Sequence, residues 1–251
     1  MTSSARELEG KIAVVTGAGQ NIGRATALEL AAAGATVVVN TRASRAAAEA
    51  VVAEIAAAGG RAELAMADVA DAGQVQAMID GVMSRHGRID ILVLNASVRR
   101  ETPFAEMSFE QWRVPLSISL DGSFHCIKAC LPSMLAAGSG SIIALTGSNV
   151  LTGAVGKVHS SAAKSGLTGM IRALAREVGP RGIRANCVSP GMIDTTRPSH
   201  RSPRRDVKGL IPIERMGESA EIAAAVRYLC GPGASYITGQ TLHVNGGQTM
   251  F

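Results

Sequence analysis

Aromatic residues make up 3% of the 251-residue chain, including one tryptophan and two tyrosines. Bases stack on aromatic faces, so a net charge of +5 finds few platforms for nucleic acid beside it. The cations are also spread along the chain, with one local cluster at 197–208, RPSHRSPRRDVK. No nucleic-acid partner is expected. Charged residues are scarce too, at 18% against 47% hydrophobic, which argues against disorder and supplies enough apolar surface for one large core. No apolar run approaches the roughly eighteen residues of a membrane-crossing helix. The opening MTSSARELEG is too polar for the core of a signal peptide, so a cytoplasmic protein without a membrane partner is expected. The four cysteines, Cys126, Cys130, Cys187 and Cys230, form no CxxC pair. Neither disulfides nor a metal site is expected, and Cys126 and Cys130 in FHCIKACL read as the apolar face of a helix.

What the chain does contain is a regular alternation. KIAVVT, ATVVVN, RAELAMA, IDILVLN, SIIALT, IRANCVS and TLHVN read as strands. Between them lie helical stretches: one ending at Ala33, then Arg42–Ala58, Gln74–Arg85, His159–Val178 and Ala220–Leu229. The rhythm predicts an α/β fold, with a doubly wound parallel sheet of about seven strands and helices on both faces. Continuous apolar runs such as VVVN and ILVLN suit strands buried on both sides. Gly34 and Gly59-Gly60 suit left-handed helix ends. No linker or composition shift divides the chain, so 1–251 is read as one domain. Within it, 192–216 is rich in Pro, Arg and Ser and is read as a substrate lid or a solvated loop.

After the first strand stands TGAGQNIG, Thr16–Gly23. Glycines let a backbone approach a pyrophosphate, and the helix that follows presents unpaired N–H groups and its positive dipole end to the phosphates. With ADV at Ala67–Val69, RIDILVLNAS, SPGMIDT and ITGQTLHVNGG, the chain resembles the short-chain dehydrogenase/reductase superfamily along nearly its whole length, its 3-oxoacyl-carrier-protein reductase-like members in particular. The resemblance implies a Rossmann-type fold, a homotetramer, and a coenzyme held by Gly17, Gly19, Gln20, Asn21, Ile22 and Gly23. Asp68 and Val69 would contact its adenine, Asn95, Ala96 and Ser97 would bind it from the strand end that resembles the family's NNAG, and Lys164, Pro190, Gly191, Ile193 and Thr195 would hold its nicotinamide half. Asn21 replaces a family glycine, and asparagine enters left-handed φ more readily than most residues. At the end of the second strand, Thr41 stands where the family's NAD-selecting carboxylate would be, followed by Arg42. An arginine accommodates the 2′-phosphate, so NADP (NADPH) is preferred over NAD, with Gln20 pulling the other way.

The catalytic positions depart from the family. A tyrosine donates the proton there, a lysine four residues later binds the nicotinamide ribose, a serine bonds the carbonyl and an asparagine supports a proton relay. Here Lys164 is kept, whereas Ser160, Gly147 and Ser119 occupy the other three places. Tyr228 and Tyr236 read as packing residues. A serine hydroxyl does not titrate in the normal range, so Ser160 is a poor general acid. His159 titrates in a useful range, although a regular helix turns it about 100° from Ser160. Thr146 and Ser148 flank Gly147 and are candidate hydroxyls. Arg99, Arg100, Arg197, Arg201, Arg204 and Arg205 would suit an acidic or acyl-thioester substrate, or simply a solvated loop.

Three readings follow. The first is an NADP-dependent oxidoreductase acting on a carbonyl or alcohol, with Lys164, His159, Ser160 and Ser148 as its catalytic set. The second is a non-catalytic NADP-binding homologue. The third is a non-redox enzyme using the same cleft.

Overall fold

A computed structural model of the chain describes residues 6–195 and 206–250. Strand β1 (Ile12–Val15) leads into α1 (Asn21–Ala32), β2 (Thr36–Thr41), α2 (Arg45–Ala57), β3 (Arg61–Met66) and α3 (Ala72–His86). Then come β4 (Ile91–Leu94), α4 (Phe109–Leu116), α5 (Gly122–Ala137), β5 (Gly140–Leu145), the single turn α6 (Asn149–Thr152) and α7 (Val158–Val178). Strand β6 (Ile183–Pro190), α8 (Ser219–Cys230) and β7 (Thr241–Val244) finish the unit.

All seven strands pair in parallel in the order β3-β2-β1-β4-β5-β6-β7, as the alternation of elements implies. Successive residues of a strand point to opposite faces, and the two cores separate accordingly. Ala13, Val15, Val37, Val39, Ile91, Val93 and Ile143 pack on one face with residues of α1, α2 and α8. Val14, Val38, Leu92, Leu94, Ile142 and Ala144 pack on the other with residues of α3, α5 and α7. Cys126 and Cys130 lie in that second core, one helical turn apart on α5. Burial pushes the Cys126 thiol up to about 12, the behaviour of an inert packing residue.

Some boundaries depart from the sequence reading. Helix α2 starts at Arg45 rather than Arg42, because Arg42, Ala43 and Ser44 form the bend out of β2. Gly34 and Gly59 take the left-handed conformation, at φ 103° and 78°, but Gly60 does not. A side chain at Gly60 would meet Ile55 Cγ2 at 2.9 Å, so close packing is what places a glycine there. Between β4 and β5, α4 and α5 are joined by a π-helical turn, Ser117–Asp121. Pro115 and Pro132 stand inside these helices and break the helical pattern of the sequence. Ser119 is buried in the wide turn, and Ser123 Oγ donates to its carbonyl at 2.7 Å.

The two-faced burial of the central strands sets a stability expectation. Leu92, fully buried in β4, should cost about 2–5 kcal/mol when replaced by alanine, read as the loss in urea-unfolding free energy. A change below about 1 kcal/mol would contradict the assignment of β4 to the sheet centre.

Candidate active site

Strand order reverses between β1 and β4, and a doubly wound sheet binds its ligands beyond the strand ends at such a point. The turn after β1 is tied to the turn after β4 by one compact set of bonds. Thr16 Oγ1 donates to Val93 O at 3.2 Å and accepts from Asn95 N at 3.0 Å and Ala96 N at 3.1 Å. Asn95 Nδ2 returns two bonds, to Thr16 O and Gly17 O, both at 3.0 Å. From the other side, buried Asn40 accepts from Gly17 N at 3.4 Å while its amide donates to Ala65 O and Ala67 O, each at 3.2 Å. Three strands thus fix one loop.

Within that loop the glycines have different reasons. Gly17 has φ 62° and faces Ala96 Cα at 3.0 Å from a hypothetical Cβ. At Gly23 the same atom would lie 2.2 Å from Gly17 O and 2.6 Å from Asn95 Nδ2, so helix α1 touches the turn too closely for any side chain. Gly19 differs: its nearest neighbours, led by Ala48 N at 3.7 Å, leave ordinary room. The protein's own packing does not demand glycine there. Asn21, the non-glycine residue of the motif, takes φ 51°. Gln20 caps α1 without a side-chain bond, and no acidic residue stands in the first turn, so the positive end of the helix opens into the crevice. Ile22 is buried behind it.

At the end of β2, Thr41 is buried beside Gly19, its Oγ1 3.8 Å from the position a Cβ there would take. Arg42 is exposed and pairs with Asp68 at 3.5 Å. Asp68 Oδ1 accepts from Ala70 N at 3.0 Å, and Val69 O bonds to the His125 ring at 3.1 Å.

Further along the same edge, Lys164 reaches from α7 to the end of β5, where Nζ donates to Leu145 O at 2.9 Å and Thr146 O at 2.8 Å. Burial first, and the Arg99 cation second, push this ammonium down to about 8. Ser160 Oγ donates back to Lys157 O at 3.1 Å. Helix α7 begins at Val158, so His159 sits one residue into a helix with no displacement to carry it toward the Lys164 face. Its ring is fully buried with neither nitrogen in a hydrogen bond. Burial lowers its pKa from 6.5, the nearby Lys157 backbone opposes this, and the Arg100 cation lowers it further. Ser148 is buried and its N–H donates to Pro190 O at 3.1 Å. Gly191 N donates to Val244 O at 3.0 Å, and Ile193 is buried. Buried Thr195 accepts a bond from Arg99 Nη1 at 2.9 Å.

The family model described as Enoyl-(Acyl carrier protein) reductase matches residues 17–249. A 3-oxoacyl-(acyl-carrier-protein) reductase of Synechocystis sp. is 42% identical over 247 residues, 97% of this chain and 99% of that protein. Enzymes of the same name from Staphylococcus aureus (strain Mu50) and Salmonella typhimurium are 41% and 39% identical, each over 96% of this chain and 98% of theirs. The chain is a short-chain dehydrogenase/reductase.

In this member of the family the strand ends bring Gly17–Gly23, Thr41, Arg42, Asp68, Asn95–Ser97, Lys164 and Pro190–Thr195 to one side of the sheet. Ser97 is exposed at the end of β4, beside Ala96. Ser160 and Lys164 are one helical turn apart, but each spends its hydrogen bonds on backbone carbonyls. Of segment 192–216, positions 196–205 lie outside the described residues, and with them Arg197, Arg201, Arg204 and Arg205. Thr16 and Asn40 were missed as individual residues. Their signal was a polar residue at the end of an otherwise apolar strand, which burial turns into a structural bond. Among the described residues, no helix is long and apolar enough to cross a membrane. No group of three or more His, Cys, Asp or Glu among them is placed to hold a metal ion.

The glycine geometry separates fold from ligand. Gly23→Ala should lower unfolding free energy by about 1–3 kcal/mol, as overpacking does, while Gly19→Ala should stay within about 1 kcal/mol of the parent. Urea unfolding of both variants checks this, and equal losses would contradict the distinction.

Proposed function

We propose that the chain is an NADP-dependent oxidoreductase acting on a carbonyl or alcohol, with 3-oxoacyl thioesters, the substrates in its relatives' names, as the substrate class. The observation that carries the coenzyme is Gly19: a glycine that the protein's own contacts leave room to replace, set against an uncapped helix start. A pyrophosphate fills such a cradle, because unpaired N–H groups and the helix dipole both favour an anion. When bound, NADPH would supply the hydride for reduction, and NADP+ would accept it in the reverse direction.

The chain's own residues then divide the work. Gly17, Gly19, Gln20, Asn21, Ile22 and Gly23 receive the phosphates. Asp68, Val69, Asn95, Ala96 and Ser97 receive the adenosine, with Arg42 rather than a carboxylate at the 2′-oxygen. Lys164 grips the nicotinamide ribose, and Pro190, Gly191, Ile193 and Thr195 close over the ring. For the proton, Ser160 offers a hydroxyl that does not titrate. His159, next to Ser160, is the titratable group left for the acid, and its buried ring would have to turn outward to reach the substrate. Ser148 is the hydroxyl for the substrate oxygen. The 192–216 segment serves as the lid. Exposed Phe109 and Phe124 on α4 and α5 support assembly through these helices, as a homotetramer.

A second reading has a specific observation in its favour. Ser160, Gly147 and Ser119 leave no phenol, serine hydroxyl or amide at the family's positions, and Ser160 bonds only backwards, to Lys157. This suits a subunit that binds NADPH without turning it over. Fluorescence titrations with NADPH and NADH, followed by a screen of ketones and 3-oxoacyl thioesters for coenzyme oxidation, decide between the two. Tight binding with no oxidation of any substrate selects the second.

Two outcomes are expected. Arg42→Ala should weaken NADPH by about tenfold to a hundredfold, the value of a charge-assisted bond, and leave NADH within about twofold; equal losses for both would contradict a 2′-phosphate contact. His159 is an acid with a lowered pKa, so it is protonated only below that value. The kcat for reduction should therefore fall as pH rises through a pKa under 6.5. In His159→Gln it should drop about a hundredfold and lose that limb. An unchanged profile in the variant would remove His159 from the mechanism.

A further inference from the structure

Strands β2 and β3 end side by side. Thr41 pairs with Met66 at the last position of their register, and Ala67 N donates to Thr41 O at 3.2 Å one step further on. The residues that follow are Arg42 and Asp68, so the two stand next to each other where the strands leave the sheet, with Arg42 Nη1 3.5 Å from Asp68 Oδ2. Thr41 itself lies beside Gly19 of the glycine turn, which puts the pair at the margin of the crevice.

The two partners are not equally free. Asp68 is held at three points: its N–H donates to Gln74 Oε1, its carbonyl accepts from Asp71 N and its Oδ1 accepts from Ala70 N, each at 3.0 Å. Gln74 is fixed in turn by two bonds to the Asp71 carboxylate, both at 3.0 Å, at the start of α3. The Arg42 side chain, by contrast, is 62% exposed and extends from the bend that precedes α2. Its contact with Asp68 is single and long, whereas Arg85 grips Glu63 with two bonds of 2.9 and 2.8 Å. An exposed pair of that kind contributes little to stability, so a stronger anion can draw the arginine away. Arg45, the next cation along the chain, is turned to Glu49 on α2 at 3.4 Å.

A fixed carboxylate beside a movable guanidinium treats the two coenzymes differently. A 2′-phosphate needs the guanidinium, whose forked N–H groups match its oxygens, and must take it from Asp68. A 2′-hydroxyl needs no such release. We propose that Asp68 competes with the 2′-phosphate for Arg42, so that a carboxylate at the end of β3 sets how strongly the crevice favours NADPH over NADH. This rests on the reading of Arg42 as the 2′-phosphate contact, and it names the residue that limits that contact. Asp68→Asn keeps the shape of the side chain and an oxygen for Ala70 N while removing the charge, and it should release Arg42 to the phosphate.

The test uses the full chain, with binding read by calorimetry. Adenosine 2′,5′-bisphosphate carries the 2′-phosphate without a nicotinamide, and adenosine 5′-monophosphate lacks that phosphate and reports any change in the adenine contact. The ratio of the two affinities should rise about twofold to fivefold in Asp68→Asn, the range of an exposed ion pair. Measured in an Arg42→Ala background, the same substitution should produce less than about half of that rise. Thermal unfolding reports whether each variant is folded, and Asp68→Ser serves as a second variant without the charge. An unchanged ratio in the folded Asp68 variants, a rise that is as large without Arg42, or no binding of the bisphosphate to any of these proteins would overturn the proposal. A separate NADPH titration of the parent keeps the two readings apart. The expected pattern with the bisphosphate but no NADPH binding would sustain the competition and remove the coenzyme reading. Tight, Arg42-dependent NADPH binding beside an unmoved ratio would do the reverse.

Discussion

The structure depends on the bonds that Thr16 and Asn95 exchange across the centre of the sheet. Parallel strands place all their carboxyl ends on one edge, but they do not hold the loops there in register. The threonine hydroxyl and the asparagine amide do so, since each is enclosed by backbone groups that would otherwise be buried without partners. Asn40 extends the same lock to β2 and β3. Once these loops are fixed, the start of α1 faces the crevice, and Gly23 lets the helix touch the turn.

The two halves of the crevice are under different physical constraints. The first half is built from backbone, and its chemistry survives side-chain changes: Asn21 replaces a family glycine and still takes a positive φ. The second half is built from side chains, and there substitution changes what the site can do. A phenol near pKa 10 next to a lysine can be drawn toward neutrality, whereas a serine hydroxyl is too far away for any neighbour to bridge at about 1.4 kcal/mol per pKa unit. Lys164 keeps its place, pushed down to about 8 by burial and by Arg99.

Much of this was legible in the sequence. Strands buried on both faces are written as unbroken runs of valine, isoleucine and leucine, so β1, β2, β4 and β5 could be located from composition alone. The glycine turn was legible because its residues answer to backbone geometry. Of the α4 and α5 region only FHCIKACL was legible as helix, because Pro115 and Pro132 interrupt the pattern on either side of it. Side-chain direction was also out of reach. The spacing puts Ser160 and Lys164 on one face, but only coordinates show each turning to a backbone carbonyl, and only they show Arg99 crossing β5 to Thr195.

The central claim is that a phosphate-bearing redox coenzyme lies across the Thr16–Asn95 lock with its nicotinamide end at Lys164. Crystals of the full chain soaked in NADPH test it most directly. The account predicts density for the pyrophosphate against the N–H groups at Gly19–Ile22 and for a ribose hydroxyl within hydrogen-bond distance of Lys164 Nζ. An empty crevice, or coenzyme bound elsewhere on the molecule, would contradict it.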